Sequence, residues 1–283
     1  MRGIYGMKGV WPTAYEQQVL YDIHAWRSRK PGLIGWGVEK ANKGLRCVTN
    51  LAFSVPGAQW IIDNVVAGLL QVVNELAQDT VWRESIYAEY RKRGYPVQCA
   101  DDIQSLDLRA VDTTLQGVDI KYRSVTAAQG VAAGIAGVAG VIPDVVGLVA
   151  LSLRAAGEYA TYCGYDMTLD TERWYALHIL HAEAQSASDK HLEDLAPATV
   201  VSQALADQHT KKTVEQVAVS TSIRRVTRAL GQRLTTAKLA QVVPMAGALI
   251  GGGVNALYTK RVCTAALHLY RERRLLESYP FLR

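Results

Sequence analysis

The stretch from Val131 to Leu153, VAAGIAGVAGVIPDVVGLVALSL, is 23 residues long and has a single charged side chain, Asp144. At about 1.5 Å per residue, a helix of this length would cross the ~30 Å hydrocarbon core of a bilayer. Pro143 and Asp144 stand at its middle, where proline interrupts helical hydrogen bonding and a carboxylate at bilayer depth costs a few kcal/mol. Each half is too short to cross alone. The stretch therefore predicts a helical hairpin rather than a simple crossing.

The hairpin should consist of helices at about Ser124–Ala139 and about Pro143–Cys163. Proline is favoured in the first turn of a helix, and Asp144 would there meet the positive end of the helix dipole. Glycines recur in the first helix at spacings of three and four, which lets another backbone approach closely; they are Gly130, Gly134, Gly137 and Gly140.

A second glycine-rich helix is predicted to open at Pro244, with Gly247 and Gly251–Gly253 on a bare face. We expect the two glycine-rich elements to pack together, with Gly134 and Gly137 facing the segment Pro244–Ala256. Three cations near the end of this helix should lie in water: Arg271, Arg273 and Arg274.

Helical periodicity dominates the rest of the chain, and no alternating apolar and polar run flanked by hairpin turns is present, so the fold class is all-α. Thr13 and Glu16 have the spacing of a capping box. Further helices are predicted at about Leu192–Gln208 and Thr213–Leu230. With no linker-like tract in the sequence, we expect a flexible N-terminus over residues 1–12 and one multi-helix domain over residues 13–279.

Residues 1–50 carry the whole net charge of the chain, +5, and five of its six tryptophans precede residue 83. Tryptophan mixed with lysine and arginine is typical of a membrane-surface region. An ordinary solvated basic surface, with tryptophan in the core, is the alternative. A nucleic-acid partner is not expected, because no binding motif accompanies the cations. The candidate membrane-surface residues here are Trp11, Trp26, Arg27, Arg29, Lys30 and Trp36.

The four cysteines lie far apart and form no C-x-x-C pair, which favours a reducing compartment. The first residues contain no apolar core or cleavage site of a secretory signal. We therefore expect a cytoplasmic protein.

Candidate ligand-binding residues lie on the two apolar elements. Arg154, Glu158 and Tyr162 recur at four-residue spacing on one helix face, downstream of Asp144. They could form a buried ion pair that fixes helix register, or the polar end of an apolar pocket in which Arg154 holds a lipid head group or a carboxylate. Tyr165 and Asp166 follow on the same segment.

The second glycine-rich helix also carries polar candidates. Asn255 and Tyr258 should serve either as packing residues or as ligand contacts, and Lys260 and Arg261 either emerge into solvent or meet lipid phosphates.

The chain carries no recognisable signature of catalysis, and we expect neither a cofactor nor a catalytic residue. His178 and His181 share a helical turn, but Glu183 leaves that face and His191 lies further on, so no metal site is predicted. The sequence also lacks a G-x-S-x-G elbow, a phosphate-binding loop and a strand-borne dinucleotide motif.

Several segments resemble the bacterial EcsC protein family: YEQQVLYDIHAWR with the following KPG, the Pro143–Asp144 junction, RAAGEYATYCGYD, and the long segment Leu230–Leu276. The resemblance extends from about Tyr15 to Tyr279. It implies a bacterial, mainly helical protein of a family named for a gene beside those of an ABC transporter. It implies no activity and no site residue.

These observations favour a non-enzymatic, peripherally membrane-associated protein that binds anionic lipid or another apolar ligand. Two alternatives stay open. One is a hydrolase of a lipid-like substrate that uses Glu158, Asp144 or Asp166 as acid or base, and the other is an interaction module for a membrane transporter. The sequence predicts no oligomeric state.

Overall fold

The computed structural model describes residues 11–28, 57–75, 81–186, 247–282 and residues 224, 226–232, 234, 235 and 238, and it contains helices joined by short connections, with no strand among these residues. The predicted all-α class is confirmed. The α-helices are α1 (Ala14–Arg27), α2 (Ala58–Glu75), α3 (Val81–Lys92), α4 (Ala100–Gln104), α5 (Leu108–Thr114), α6 (Val118–Ala136), α7 (Val141–Tyr162), α8 (Asp170–Ser186) and α9 (Gly247–Ser278). Short 3-10 helices cover Gly137–Gly140 and Pro280–Leu282.

Several sequence predictions fall outside these residues. The helix at Leu192–Gln208, most of the helix at Thr213–Leu230 and the residue Pro244 are among them. The capping box at the start of α1 is present, because Glu16 accepts a hydrogen bond from the backbone N–H of Thr13 and donates its own N–H to the Thr13 hydroxyl.

Helix α9 is the longest element, and α1, α6, α7 and α8 all pack along it. Two contacts set its direction relative to α7: Asn255 meets Asp144 near the start of both helices, and Arg274 donates to the carbonyl of Cys163 beyond the end of α7. The two helices therefore run parallel.

Helices α6 and α7 form the predicted hairpin. Gln129 donates to the carbonyl of Asp144, and Tyr122 donates to Glu158 further from the turn, so the two helices are antiparallel. The first helix begins at Val118, earlier than expected, because Gly117 has a positive φ of 90° that ends the preceding turn.

The turn of the hairpin differs from the sequence prediction. Gly137 was expected to face the second glycine-rich helix, but a methyl group built there would meet nothing within 4 Å. Its φ of 62° is in the region that favours glycine, so the residue serves the turn rather than a helix contact. The tight approach of α6 to α9 lies at Gly252, where an added methyl would come within 2.7 Å of Val131 and 2.9 Å of the Ala127 carbonyl.

The cations near the end of α9 do not lie in water, and that prediction was wrong. Arg274 is buried and donates to the backbone carbonyls of Cys163, Ile103 and Leu106. Arg273 makes a two-pronged ion pair with Glu172. The chain before α5 and after α7 covers this end of α9, and backbone carbonyls there supply acceptors for the cation.

Candidate functional site

The end of the hairpin presents apolar side chains to solvent. We call residues 131–141 the hairpin end; they comprise the last turns of α6, the 3-10 helix and the first residue of α7. Ile135 is 77% exposed, Val138 42% and Val131 39%. Exposed apolar side chains continue along the outer face of α6 to Val125 and Ile120. Contiguous exposed apolar surface of this kind is typical of a binding surface.

The hairpin end is also free of charge in sequence, since residues 124–143 contain no acidic or basic side chain. The segment Leu108–Tyr162 includes a window long and apolar enough to cross a bilayer, by length and composition, and 33% of that window is buried. A core helix of a soluble domain would bury most of such a window. Much of this apolar surface is therefore available for contact.

A buried polar network lies behind the hairpin end. Asp144 is 5% exposed and lies 2.7 Å from Nζ of Lys238, which is 7% exposed. Asn255 donates to the second oxygen of Asp144 at 2.7 Å and accepts from Lys238 at 2.5 Å. Gln129 donates to the Asp144 carbonyl at 2.8 Å. Four separated segments therefore meet in one network.

The network compensates the charge of Asp144 within an apolar region. The sequence indicated that a carboxylate here would oppose burial in lipid, but the structure supplies an opposite charge and an amide donor. Ionisable groups at membrane depth generally face the protein interior and pair with each other. Asn255, expected as a packing or ligand residue, uses its side chain for this pairing. Lys238 was missed because no motif or periodicity marks it.

Glu158, predicted to pair with Arg154, has partners on α6. Glu158 is buried and accepts from Lys121 at 2.8 Å and from Tyr122 at 2.7 Å. Arg154 is exposed and lies beside the Tyr122 hydroxyl. Four-residue spacing places the two on one face of α7. Glu158 is directed at Lys121 and Tyr122 of α6, and Arg154 lies beside the same tyrosine.

The two tyrosines among the ligand candidates have protein partners. Tyr162 donates to Glu89 at 2.6 Å, and Tyr258 donates to the Leu180 carbonyl at 3.1 Å. Burial is the main cause of the raised pKa of both phenols. Of the six predicted ligand residues, Asp144 and Asn255 are in contact, whereas Glu158 lies about 21 Å from Asp144 along α7 by helical rise.

The candidate membrane-surface residues of the N-terminal region have protein contacts where the structure describes them. Trp26 is half-buried and stacks on His268 with ring centres 4.9 Å apart, and Arg27 pairs with Glu272 at 2.5 Å. Trp11 is exposed and packs edge-on against Phe281. The other candidates, Arg29, Lys30 and Trp36, lie outside the described residues.

The two cations predicted on α9 have different surroundings. Arg261 is half-buried and its Nε lies 3.1 Å from Glu183. Burial raises the pKa of the Glu183 carboxyl, although the Arg261 charge opposes that shift. Lys260 is exposed. Lys260 is thus the one of the pair placed to meet an external phosphate.

Acidic candidates for hydrolysis do not converge. Asp144 pairs with Lys238, Glu158 with Lys121, and Asp166 accepts from Arg83 at 2.8 Å. Among the described residues, no group of three or more histidine, cysteine or acidic side chains could hold a metal ion. The geometry around these three carboxylates is that of ion pairs rather than of an acid–base pair.

The sequence model of the EcsC protein family matches residues 17–275, nearly the whole chain. The chain belongs to the EcsC protein family. The resemblance inferred from the residues is thus confirmed. No solved structure matches this EcsC family chain.

The EcsC family chain is also similar to the Uncharacterized protein YdbA of Bacillus subtilis (strain 168), with 26% identity over 179 residues. That similarity covers 62% of each protein, so the chain spans less than two thirds of its relative. Neither comparison assigns a function, and a functional proposal rests on the geometry of the hairpin end.

Proposed function

We propose that this EcsC family protein binds membranes peripherally by inserting its hairpin end into one face of a lipid bilayer. The observation that carries the proposal is the exposure of Ile135, Val138 and Val131 at the turn of a hairpin with no charged side chain over residues 124–143. Transferring exposed apolar surface from water into lipid releases roughly 25 cal/mol per Å². The hairpin end would therefore bind lipid more favourably than water.

The polar network behind the hairpin end supports the same function. Asp144 would otherwise be a charge close to the hydrocarbon, but Lys238 and Asn255 satisfy it inside the protein. The outer surface facing the lipid then carries apolar groups, while polar groups point inward. The proposed binding surface is thus the hairpin end on α6 and α7, rather than the basic N-terminal region. A cytoplasmic location and a transporter partner stay predictions.

Vesicle flotation tests this proposal, with neutral phosphatidylcholine vesicles so that apolar contact alone is measured. Wild-type protein should float with the vesicles. Ile135→Glu should lower binding more than tenfold, because a carboxylate at this position would have to be desolvated. Leu169→Glu is the matched control, since Leu169 is 53% exposed in the loop between α7 and α8, away from the hairpin end. Equal flotation of the two variants, or no flotation of wild type, would refute the proposal.

A further inference from the structure

Three exposed cations from three helices lie at about the same distance from the hairpin turn, measured along the helices. Lys121 on α6 and Arg154 on α7 are both exposed and both adjoin Tyr122 or its partner Glu158. Tyr122 donates to Glu158, which fixes the register of α6 against α7 at this level.

Lys260 on α9 reaches the same height. Gly252 lies opposite Ala127 and Val131, and α9 runs antiparallel to α6. Eight residues beyond Gly252 is Lys260, and eight residues back along α6 from the point opposite Gly252 is Lys121. The hydroxyl of Thr259, next to Lys260, lies 3.5 Å from that of Ser152, two residues before Arg154, in agreement with this register.

The height of these cations matches the thickness of a lipid leaflet. From the hairpin turn at Gly137–Gly140 to Arg154 is 14 residues of α7, or about 21 Å by helical rise. Half of a bilayer including its head groups is about 20–22 Å. If the hairpin is upright and its turn lies at the bilayer midplane, the cations therefore lie within the head-group layer. If the hairpin is tilted, the cations can lie in the same layer while the turn is less deep.

We propose that Lys121, Arg154 and Lys260 form a phosphate-binding belt that selects anionic lipids in the leaflet entered by the hairpin end. The proposal rests on the proposed function and adds the lipid class and the depth. Apolar surface borders the belt on its membrane side, since Leu257 lies one turn before Lys260 and Val125 one turn after Lys121, and both are exposed. Long cationic side chains beside an apolar surface extend their charges toward head groups. Each cation near an anionic surface should raise partitioning about fivefold.

Binding of the full chain to two sets of vesicles tests the belt: phosphatidylcholine alone, and phosphatidylcholine with 30% phosphatidylserine. Lys260→Gln should reduce partitioning to the anionic vesicles about fivefold and leave partitioning to the neutral vesicles unchanged. Lys92→Gln is the control, because Lys92 is an exposed cation at the end of α3. Tyr90 of the same helix contacts Tyr162 at the end of α7, farther from the hairpin end than the belt. Lys92→Gln should change neither.

The outcomes separate the belt from the insertion of the hairpin end. If Lys260→Gln and Lys92→Gln weaken anionic binding equally, general attraction rather than a belt is responsible, and the belt is refuted. The belt is also refuted if wild type partitions equally to both vesicle sets. In either case, flotation on neutral vesicles that Ile135→Glu abolishes would leave the proposed function standing.

Discussion

Nζ of Lys238 lies 2.7 Å from Oδ2 of Asp144, and both side chains are buried next to the hairpin end. Asn255 bridges the pair by donating to Asp144 and accepting from Lys238. This contact compensates the charge of Asp144 in the middle of an apolar stretch. It also joins the first turn of α7 to α9, through Asn255, and to Lys238, which belongs to neither helix.

Removing one member of this pair should be far more damaging than removing both. Lys238→Met should lower the free energy of unfolding by about 3–5 kcal/mol, because Asp144 would keep an uncompensated charge. Adding Asp144→Asn to that variant should recover most of the loss. Urea denaturation of wild type, the single variants and the double variant measures the coupling. Additive losses would show that the two side chains do not depend on each other.

Two adjacent glycines of α9 should respond oppositely to alanine. Gly252→Ala should destabilise by about 1–3 kcal/mol, because the added methyl would crowd Val131 and the Ala127 carbonyl. Gly253 is exposed with nothing within 4 Å of the added group, so Gly253→Ala should stabilise by up to about 1 kcal/mol through helix propensity. Thermal unfolding compares the two. A gain from both substitutions would contradict the close approach of α6 and α9.

The Glu183 carboxyl, which pairs with Arg261, should contribute more to folding stability at pH 4 than at pH 7. Burial raises the pKa of Glu183 above its usual 4.5, so the folded state binds this proton more tightly than the unfolded state does. The stabilisation from that proton is complete below pH 4.5 and is lost as pH rises through the folded pKa. Relative to wild type, Glu183→Gln should therefore be more favourable at pH 7 than at pH 4. Unfolding midpoints at both pH values measure this, and a variant that loses stability relative to wild type between pH 4 and pH 7 would contradict it.

The cysteines should differ sharply in reactivity. Burial raises the pKa of the Cys163 and Cys263 thiols to about 12, whereas Cys99 is exposed. Because the thiolate is the reactive form, native protein carrying Cys47→Ser should consume one equivalent of a disulfide reagent at pH 8. Unfolded protein should consume three equivalents. Rapid reaction of three thiols in the native state would show that the core around α7 and α9 opens readily.

The sequence predicted the hairpin because proline, aspartate and apolar periodicity are local signals. Asp144 and Asn255 could be selected in the same way, as polar residues within apolar helices. Local signals also located the capping box of Thr13 and Glu16.

The partners of these residues were harder to predict, since they depend on packing between distant segments. Lys238 is 94 residues from Asp144 in sequence, and no local pattern joins them. Arg154 and Glu158 had the spacing of an ion pair, but nothing in the sequence indicated that Lys121, from another helix, pairs with Glu158. The sequence around Arg274 is typical of a solvent-exposed helix end. In the fold, the carbonyls of Ile103 and Leu106 lie around its guanidinium and accept its hydrogen bonds.

The most direct test of the account is the depth of the hairpin end in a bilayer. A polarity-sensitive fluorophore attached at Ile135→Cys, in a chain with Cys47→Ser and Cys99→Ser, should brighten on phosphatidylcholine vesicles and be quenched by lipids brominated along their acyl chains. The same fluorophore at Leu169→Cys, where the side chain is exposed away from the hairpin end, should show neither change. Equal responses at the two positions, or no quenching at position 135, would contradict insertion of the hairpin end.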